Sequence, residues 1–433
     1  MRKKKVLVHG TLDSLQKFFA DAVSRDYQVV AILSESLEKI SFMRNNRPLE
    51  VLTLQDLPDF VYDIIDGIIF TDPSTSESVM DFLTAHDFEL RKVILWDAQN
   101  GWQFINLPAK DAKEVIYFCG LEFHLRDEDD AKFFHQTLWR IQNQRQMKNL
   151  NPKFYPAVLT QMYKQRTGKS LDFNNVQTFT EKIQWLKIYD ATPLKSCLAD
   201  KYAVRSWVAE KIGDEYLIPL LGVWDDFDDI NFDELPDQFV LKCNHGSSMN
   251  IIVRDKKSFD MQRARERINA WLAVDYSATC LELHYTRIDR KIIAEKFMTN
   301  GDDPELTDYK FLCFDGKVLY CKATTERSTF IRCTYFDMNW QYTNFSRNDH
   351  SMSDHPERIP PPKNFELMKK LAAKLAEGFA FVRADFYEIN GKVYFGEMTF
   401  TPGAGNFSYK SEGTDEYLGS LLKLPAPTPP PKL

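Results

Sequence analysis

The segment Phe381-Val-Arg-Ala-Asp-Phe-Tyr-Glu-Ile-Asn-Gly-Lys-Val-Tyr-Phe-Gly-Glu-Met-Thr399 constrains this chain more than any other. Two runs of aromatic and β-branched residues flank Asn390-Gly391, a pair that reads as a hairpin turn. Asp385 in the first run and Glu397 in the second stand among aromatic and β-branched residues. A carboxylate in a half-buried strand is costly unless something neutralises it. Either a divalent cation serves both acids, in which case oxygen-only ligands suit magnesium or manganese, or an arginine such as Arg383 salt-bridges them. Register bears on the choice. A two-residue turn pairs Asp385 with Gly396 and sends Glu397 to the opposite face, so the acids converge only through an odd turn or a bulge.

At 433 residues the chain is long enough for two to four domains. Its 44% hydrophobic and 27% charged residues are ordinary for a globular protein. A net charge of -7 provides no overall positive field, which argues against nucleic acid as a partner. No apolar run approaches the roughly 18 residues of a membrane helix. The basic start, Met1 to Lys5, precedes an apolar stretch too short for a signal sequence. The cysteines, at 119, 197, 243, 280, 313, 321 and 333, form no C-x-x-C pair and read as reduced thiols of a cytoplasmic protein.

Residues 1–140 read as a Rossmann-like α/β domain. Short apolar runs at 6–8, 29–33, 67–70, 93–96 and 115–118 suit parallel strands buried on both faces, separated by helical stretches such as Leu15 to Val23 and Ser76 to His86. The turn after the first run, Gly10 to Ser14, lacks the full G-x-G-x-x-G fingerprint of a dinucleotide site. A helix ending in a polar linker at 141–151 leads to an α+β domain over 152–424. Within it, Thr178-Phe-Thr-Glu181 is a capping box, and one helix is expected from about Leu198 to Ile212, closed by Gly213. The proline-rich tail at 425–433 is expected to lie outside the fold.

Several cations stand in apolar surroundings. Lys201 falls on the same helical stripe as Cys197, Val204, Val208 and Ile212, so it either snorkels at the stripe's edge or aims at a bound phosphate. Lys242 sits within the run Phe239-Val-Leu-Lys-Cys243 and leads into Asn244-His-Gly-Ser-Ser-Met-Asn250. A lysine before a small-residue loop between strands suits a phosphate cover, against the alternative of a plain hairpin with a surface lysine. Glu295, in Lys291-Ile-Ile-Ala-Glu-Lys-Phe297, either faces an adenine or ribose edge or belongs to an ordinary amphipathic strand. No P-loop and no kinase H-R-D or D-F-G motif occurs.

In this order, the segments 179–187, 198–205, 239–247, 308–311 and 395–400 resemble the TupA-like branch of the ATP-grasp superfamily, associated with teichuronopeptide and capsular polysaccharide synthesis. The resemblance spans about residues 150–420 and implies an ATP-grasp domain. It implies that Lys201 and Lys242 contact the phosphates of ATP, and that His245, Gly246, Ser247 and Ser248 belong to a loop closing over them. Glu295, Lys296 and Met298 would line the adenine hinge, and Asp385 with Glu397 would hold magnesium. Many ATP-grasp enzymes carry Asn two residues beyond the second acid; this chain has Thr399 there.

The expected reaction is ATP-dependent carboxylate–amine ligation through an acyl phosphate, on a uronic acid or acidic glycan, joined to a small-molecule amine. Such chemistry rests on positioning and charge neutralisation. Arg383, which shares strand parity with Asp385, and Lys310 are the catalytic candidates; Arg327, Arg332 and the loop Thr401 to Asn406 are weaker ones for holding the second substrate. The alternative is phosphotransfer to a sugar hydroxyl, which needs a general base, and Asp308 is the candidate.

Overall fold

A computed structural model describes the chain from Leu121 to Leu433, except 149, 302–305, 326–330 and 350, and before Leu121 only the strands. It divides into two compact units, 1–146 and 147–433.

In the first unit the strands are β1 (Lys4–His9), β2 (Tyr27–Leu33), β3 (Phe42–Arg44), β4 (Arg47–Leu52), β5 (Gly67–Phe70), β6 (Val93–Asp97) and β7 (Gly101–Phe104), joined in the order β3-β4-β2-β1-β5-β6-β7. The pairs from β4 through β6 are parallel, and the two edge strands are antiparallel. The run at 115–118 does not join this sheet. It lies in β8 (Glu114–Phe118), which pairs antiparallel with β9 (Leu121–Leu125), because two residues are too few for a parallel crossover. The expected helices at 15–23 and 76–86, and the turn at 10–14, lie outside the described residues. Helix α1 (Glu128–Lys148) runs over most of the stretch expected as linker; its polar residues 142–148 are good helix formers with no proline before Pro152. No described helix is long and apolar enough to cross a membrane.

The second unit is built on two antiparallel sheets. The smaller contains β10 (Leu220–Trp224), β11 (Phe239–Cys243), β12 (Asn250–Val253) and β13 (Ile292–Lys296), in the order β10-β13-β11-β12. The larger contains β14 (Asp308–Phe314), β15 (Lys317–Thr325), β16 (Arg332–Asp337), β17 (Tyr342–Thr343), β18 (Phe381–Ile389) and β19 (Lys392–Thr399), in the order β17-β16-β15-β14-β18-β19.

Helices among the described residues are α2 (Tyr155–Thr167), α3 (Phe179–Tyr189), α4 (Pro193–Ala199), α5 (Val204–Ile212), α6 (Met261–Ala273), α7 (Tyr276–Cys280), α8 (Phe365–Ala376) and α9 (Thr414–Leu421). One face of the larger sheet packs Phe311, Cys321, Ala384 and Phe386 against α5 and α8. The other packs Leu312, Phe314, Tyr320 and Phe381 against α3 and α9.

The expected single helix over 198–212 is two. Asp200 breaks it: its backbone is extended (φ -75°, ψ 115°), and its Oδ1 accepts from the N–H groups of Tyr202 (2.8 Å) and Ala203 (3.2 Å). Lys201 therefore sits in a turn rather than on a helical stripe. The proline-rich tail is also not detached. Thr428 donates its N–H to the Tyr189 carbonyl at 2.7 Å, and Leu433 packs beside Tyr155 and donates its N–H to that hydroxyl at 3.2 Å. Proline in an extended segment loses little entropy on docking, which favours such a strap.

Helix α3 starts with the expected capping box, Thr178 and Glu181. It is pinned to α9: Asp415 accepts from the Thr180 N–H (2.9 Å) and hydroxyl (2.6 Å), and Lys182 donates to the carbonyls of Gly419 and Leu422, both at 2.8 Å. Gly419 lies so close that an added Cβ would stand 2.2 Å from the Gln177 carbonyl oxygen. That oxygen is backbone at a helix start and cannot retreat. Gly419→Ala is expected to lower unfolding stability by about 2 kcal/mol or more, read as a reduced urea midpoint with an unchanged m-value.

Candidate active site

Asn390 (φ 52°) and Gly391 (φ 75°) form a turn with both central residues left-handed, and Ile389 pairs with Lys392. Continued without interruption, this register separates the acids. Instead the ladder shifts between Asp385 and Phe386: Phe386 pairs with Phe395, and Asp385 with Glu397, leaving Gly396 as the extra residue. The burial pattern records the switch. Val393 and Phe395 lie in the α8-side core before the bulge, and Met398 and Phe400 after it. Glu397 is thus turned to the face of Asp385.

One row of paired residues then crosses the sheet: Glu397, Asp385, Lys310, Lys322 and Tyr335. Asp385 is buried at its centre. The Arg383 guanidinium grips it with two bonds, Nε to Oδ1 at 2.7 Å and Nη2 to Oδ2 at 2.6 Å. The Lys310 ammonium adds a third at 2.7 Å and also meets Asp308 at 3.2 Å. Nη2 of Arg383 continues to Glu397 (2.9 Å) and the Thr399 hydroxyl (3.0 Å), and that hydroxyl donates to Glu397 at 3.2 Å. Burial by itself would raise the Asp385 pKa, but Arg383 and Lys310 outweigh it and hold the carboxyl below its ordinary value. For Lys310, burial works against the charge and Asp385 more than offsets it, so its pKa is raised.

Both arms of the metal-or-arginine choice bear on this arrangement. The acids converge as a divalent cation requires, yet Asp385 is neutralised by Arg383 and Lys310. Among the described residues no group of three His, Cys, Asp or Glu side chains is placed to hold a metal. The donors still fit magnesium in kind: Glu397 and Asp385 offer adjacent oxygens without nitrogen or sulfur competitors, and the Glu397 side chain is 38% exposed.

These residues form one wall of a cleft whose other wall comes from the smaller sheet. Lys201, Lys242, Ser247, Ser248 and Glu295 line it opposite Asp308, Lys310, Asp385 and Glu397. Lys242 pairs with Glu295, which also accepts from Arg205 at 3.2 Å. Lys201 donates to the Gly246 carbonyl, and burial lowers its pKa.

The loop after Lys242 is anchored in its first half and open in its second. Asn244 is held by Asp200 (2.8 Å), and its Oδ1 accepts from the Lys291 N–H (2.7 Å). His245 is buried against the Trp271 carbonyl, and burial pushes its imidazole down to about 4. A Cβ on Gly246 would stand 2.7 Å from the Tyr276 ring and 2.8 Å from the Met249 sulfur. Ser247 and Ser248 are exposed, and Ser248 has φ 60°.

Other candidates lie elsewhere. Lys296 is exposed and lines a separate depression with Phe297 and Arg254, and Met298 is not among the cleft residues. Arg332 bonds the Met352 carbonyl (2.8 Å) and pairs with Asp354 (3.1 Å). The 401–406 loop is tied inward, with Thr401 donating to Glu282 and the Ala404 carbonyl accepting from Gln184 (3.0 Å) and Lys187 (3.1 Å). Arg327 lies outside the described residues. The sequence reading missed Asp200, Arg205 and Lys322. For Asp200 the signal was an acid just before a helix start; for Lys322, a mid-strand lysine between Cys321 and Ala323, as at Lys242.

Removing the Arg383 fork leaves Asp385 buried beside an unscreened Glu397. Arg383→Met is expected to cost about 3–5 kcal/mol of unfolding stability. Arg383→Lys should recover only part of it, because one ammonium cannot reproduce the planar two-bond grip; chemical denaturation of the three proteins checks both.

Residues 181–423, more than half of the chain, match the family described as TupA-like ATPgrasp. Among solved structures the chain is similar to a D-alanine-D-alanine ligase from Helicobacter pylori, at 16% identity and TM-score 0.27 over 48% of this chain, and spans 52% of that one. It is similar to the D-alanine-D-alanine ligase from Bacillus anthracis complexed with ATP, at 13% identity and TM-score 0.30, covering 92% of this chain and 87% of that one. The N5-carboxyaminoimidazole synthetase from Staphylococcus aureus complexed with ADP shows 11% identity and TM-score 0.28, covering 92% and 70%. No curated protein matches the chain. On its match over residues 181–423, the chain belongs to the TupA-like ATP-grasp family.

Proposed function

We propose that the protein uses ATP to join the carboxylate of a uronic acid or acidic glycan to an amine. The observation that carries this reading is the facing of Lys201 and Lys242 on one wall of the cleft by Lys310, Asp385 and Glu397 on the other. A triphosphate is a dense polyanion, and a cleft furnished with ammonium groups on both walls neutralises it without a P-loop.

In the first step a carboxylate oxygen of the acid attacks the γ-phosphorus of ATP, the bond to the β–γ bridging oxygen breaks, and ADP leaves. The amine nitrogen then attacks the acyl carbon, the carbon–oxygen bond to phosphate breaks, and the nitrogen gives up a proton as the amide forms. Lys201 and Lys242 hold the phosphate chain, and the hydroxyls of Ser247 and Ser248 stand where the loop meets it. Arg383 positions Asp385 and Glu397, and Lys310 faces the charge that develops at the transferred group. Asp385 and Glu397 would hold magnesium, which supplies further charge neutralisation to the polyphosphate when bound. Glu295, paired with Lys242 and Arg205, would set the nucleoside end. Phosphotransfer to a hydroxyl is less favoured, because its candidate base, Asp308, already engages the Lys310 ammonium at 3.2 Å.

Incubation with ATP, magnesium, D-glucuronate and small amines, followed by mass spectrometry, tests the reading. A product equal to acid plus amine minus water, with one ADP per product, is expected; a phosphorylated sugar in its place overturns it. Glu397→Gln is expected to lower ADP formation by about 100-fold or more while changing unfolding stability by less than about 1 kcal/mol, since the Glu397 side chain is 38% exposed.

A further inference from the structure

Lys322 is buried to 7% exposure in the middle of β15, yet no hydrogen bond or ion pair engages its ammonium among the described residues. Its cross-strand neighbours on the same face are Lys310 on one side and Tyr335 on the other. The charged groups acting most strongly on it are Arg383, Lys310 and Arg347, with the Cys333 thiol beside them.

Among the described residues the nearby acids are already engaged. Asp385 is held by Arg383 and Lys310, and Asp308 meets Lys310. Arg347 is fixed by Asp349 through its Nε at 2.8 Å and stacks 3.4 Å from the Phe407 ring centroid. The sheet thus holds a buried amine among cations, with its own anion missing.

An arrangement of this kind is unfavourable for folding alone. An amine withdrawn from water without a counter-charge destabilises the protein, and burial, with Arg383 next, pushes the Lys322 pKa down to about 7. A hydrophobic side chain of similar volume would serve the core better. The position suggests what the amine serves. On the larger sheet the residues lining the cleft come from β14, β18 and β19. Lys322 lies on the next strand beyond Lys310, roughly 5 Å further, on the side away from β19.

We propose that Lys322, backed by Arg347, is the receptor for the carboxylate of the acid substrate, holding it beside Lys310 as the phosphoryl group is transferred. This rests on the ligase reading above and adds to it the residue that selects an acidic substrate over a neutral sugar. A single carboxylate fits better than a second phosphate, because the acid must approach the γ-phosphorus from the side opposite the leaving ADP. One ammonium with one guanidinium behind it also matches one compact anion.

Calorimetry on the full chain, with D-glucuronate or D-glucose titrated in the presence and absence of magnesium and a non-hydrolysable ATP analogue, tests the assignment. Wild-type protein is expected to bind glucuronate and not glucose. Lys322→Met and Lys322→Gln should weaken glucuronate about tenfold or more, and Lys322→Arg should retain most of the affinity. Lys322→Met should also melt at higher temperature than wild type near pH 6. Since Lys322 has a folded-state pKa below its unfolded one, wild-type stability rises with pH from about 7 toward the unfolded lysine value near 10.4, so the Met advantage shrinks at pH 9.

Glucuronate affinity within twofold of wild type in both loss variants overturns the assignment. So does failure of wild type to bind glucuronate while it binds the ATP analogue. Loss of ATP-analogue binding with Lys322-dependent glucuronate binding intact would instead sink the ligase reading and leave the carboxylate receptor standing.

Discussion

The Arg383 guanidinium organises the site. It lies nearly buried, with its side chain 11% exposed, and bonds Asp385, Glu397 and Thr399 together. Two carboxylates side by side on a strand pair repel each other, and in a core of low polarity the repulsion is little screened. A guanidinium is suited to this position because it presents several donors in a fixed fork and stays charged when buried. With Asp385 held ionised, Lys310 remains charged beside it. The acids thereby keep their positions before any ligand arrives, a form of electrostatic preorganisation.

That arrangement depends on the bulge at Gly396. A strand slipped by one residue exchanges its two faces. Without the bulge, Glu397 would enter the core built by Phe386, Phe395 and α8, while Met398 would face the cleft. Glycine suits the position because an added Cβ would lie 3.1 Å from the Tyr387 ring and 3.2 Å from the Asp385 carbonyl oxygen. One extra residue therefore converts an ordinary hairpin into a pair of facing acids, at the cost of a local break in the ladder.

Much of this was legible in the sequence. The acids, the turn between them and the need for a bulge all follow from alternation, and Val393 and Phe395 followed by Met398 and Phe400 already display the change of parity. The capping box at Thr178 was equally plain. The helix over 198–212 was misjudged because its apolar spacing outweighed Asp200, whose carboxylate bonds the N–H groups of the following turn, Tyr202 and Ala203, in place of continued helix. Lys201 thus reaches the cleft from a turn, where the stripe argument had placed it on a helix. The resemblance implies Lys296 and Met298 at the adenine hinge with Glu295; Lys296 is exposed and lines another depression with Phe297 and Arg254. The docked tail could not be foreseen, because composition does not reveal a bond from Thr428 to the Tyr189 carbonyl.

Lys201, Lys242, Lys310 and Lys322 differ in how their charge is met. Lys201 rests on the Gly246 carbonyl and Lys242 on Glu295, so on the proposed reading an incoming phosphate chain would exchange one partner for another. The net gain per contact is then modest, and release of product is correspondingly easy. Lys310 stays locked to Asp385 and Asp308 and keeps its charge. Among the described residues Lys322 has no partner to exchange. On the proposed assignment an anion reaching it would displace no described protein partner and would relieve a buried charge. Selectivity for an acid is strongest where the protein leaves its own cation unanswered.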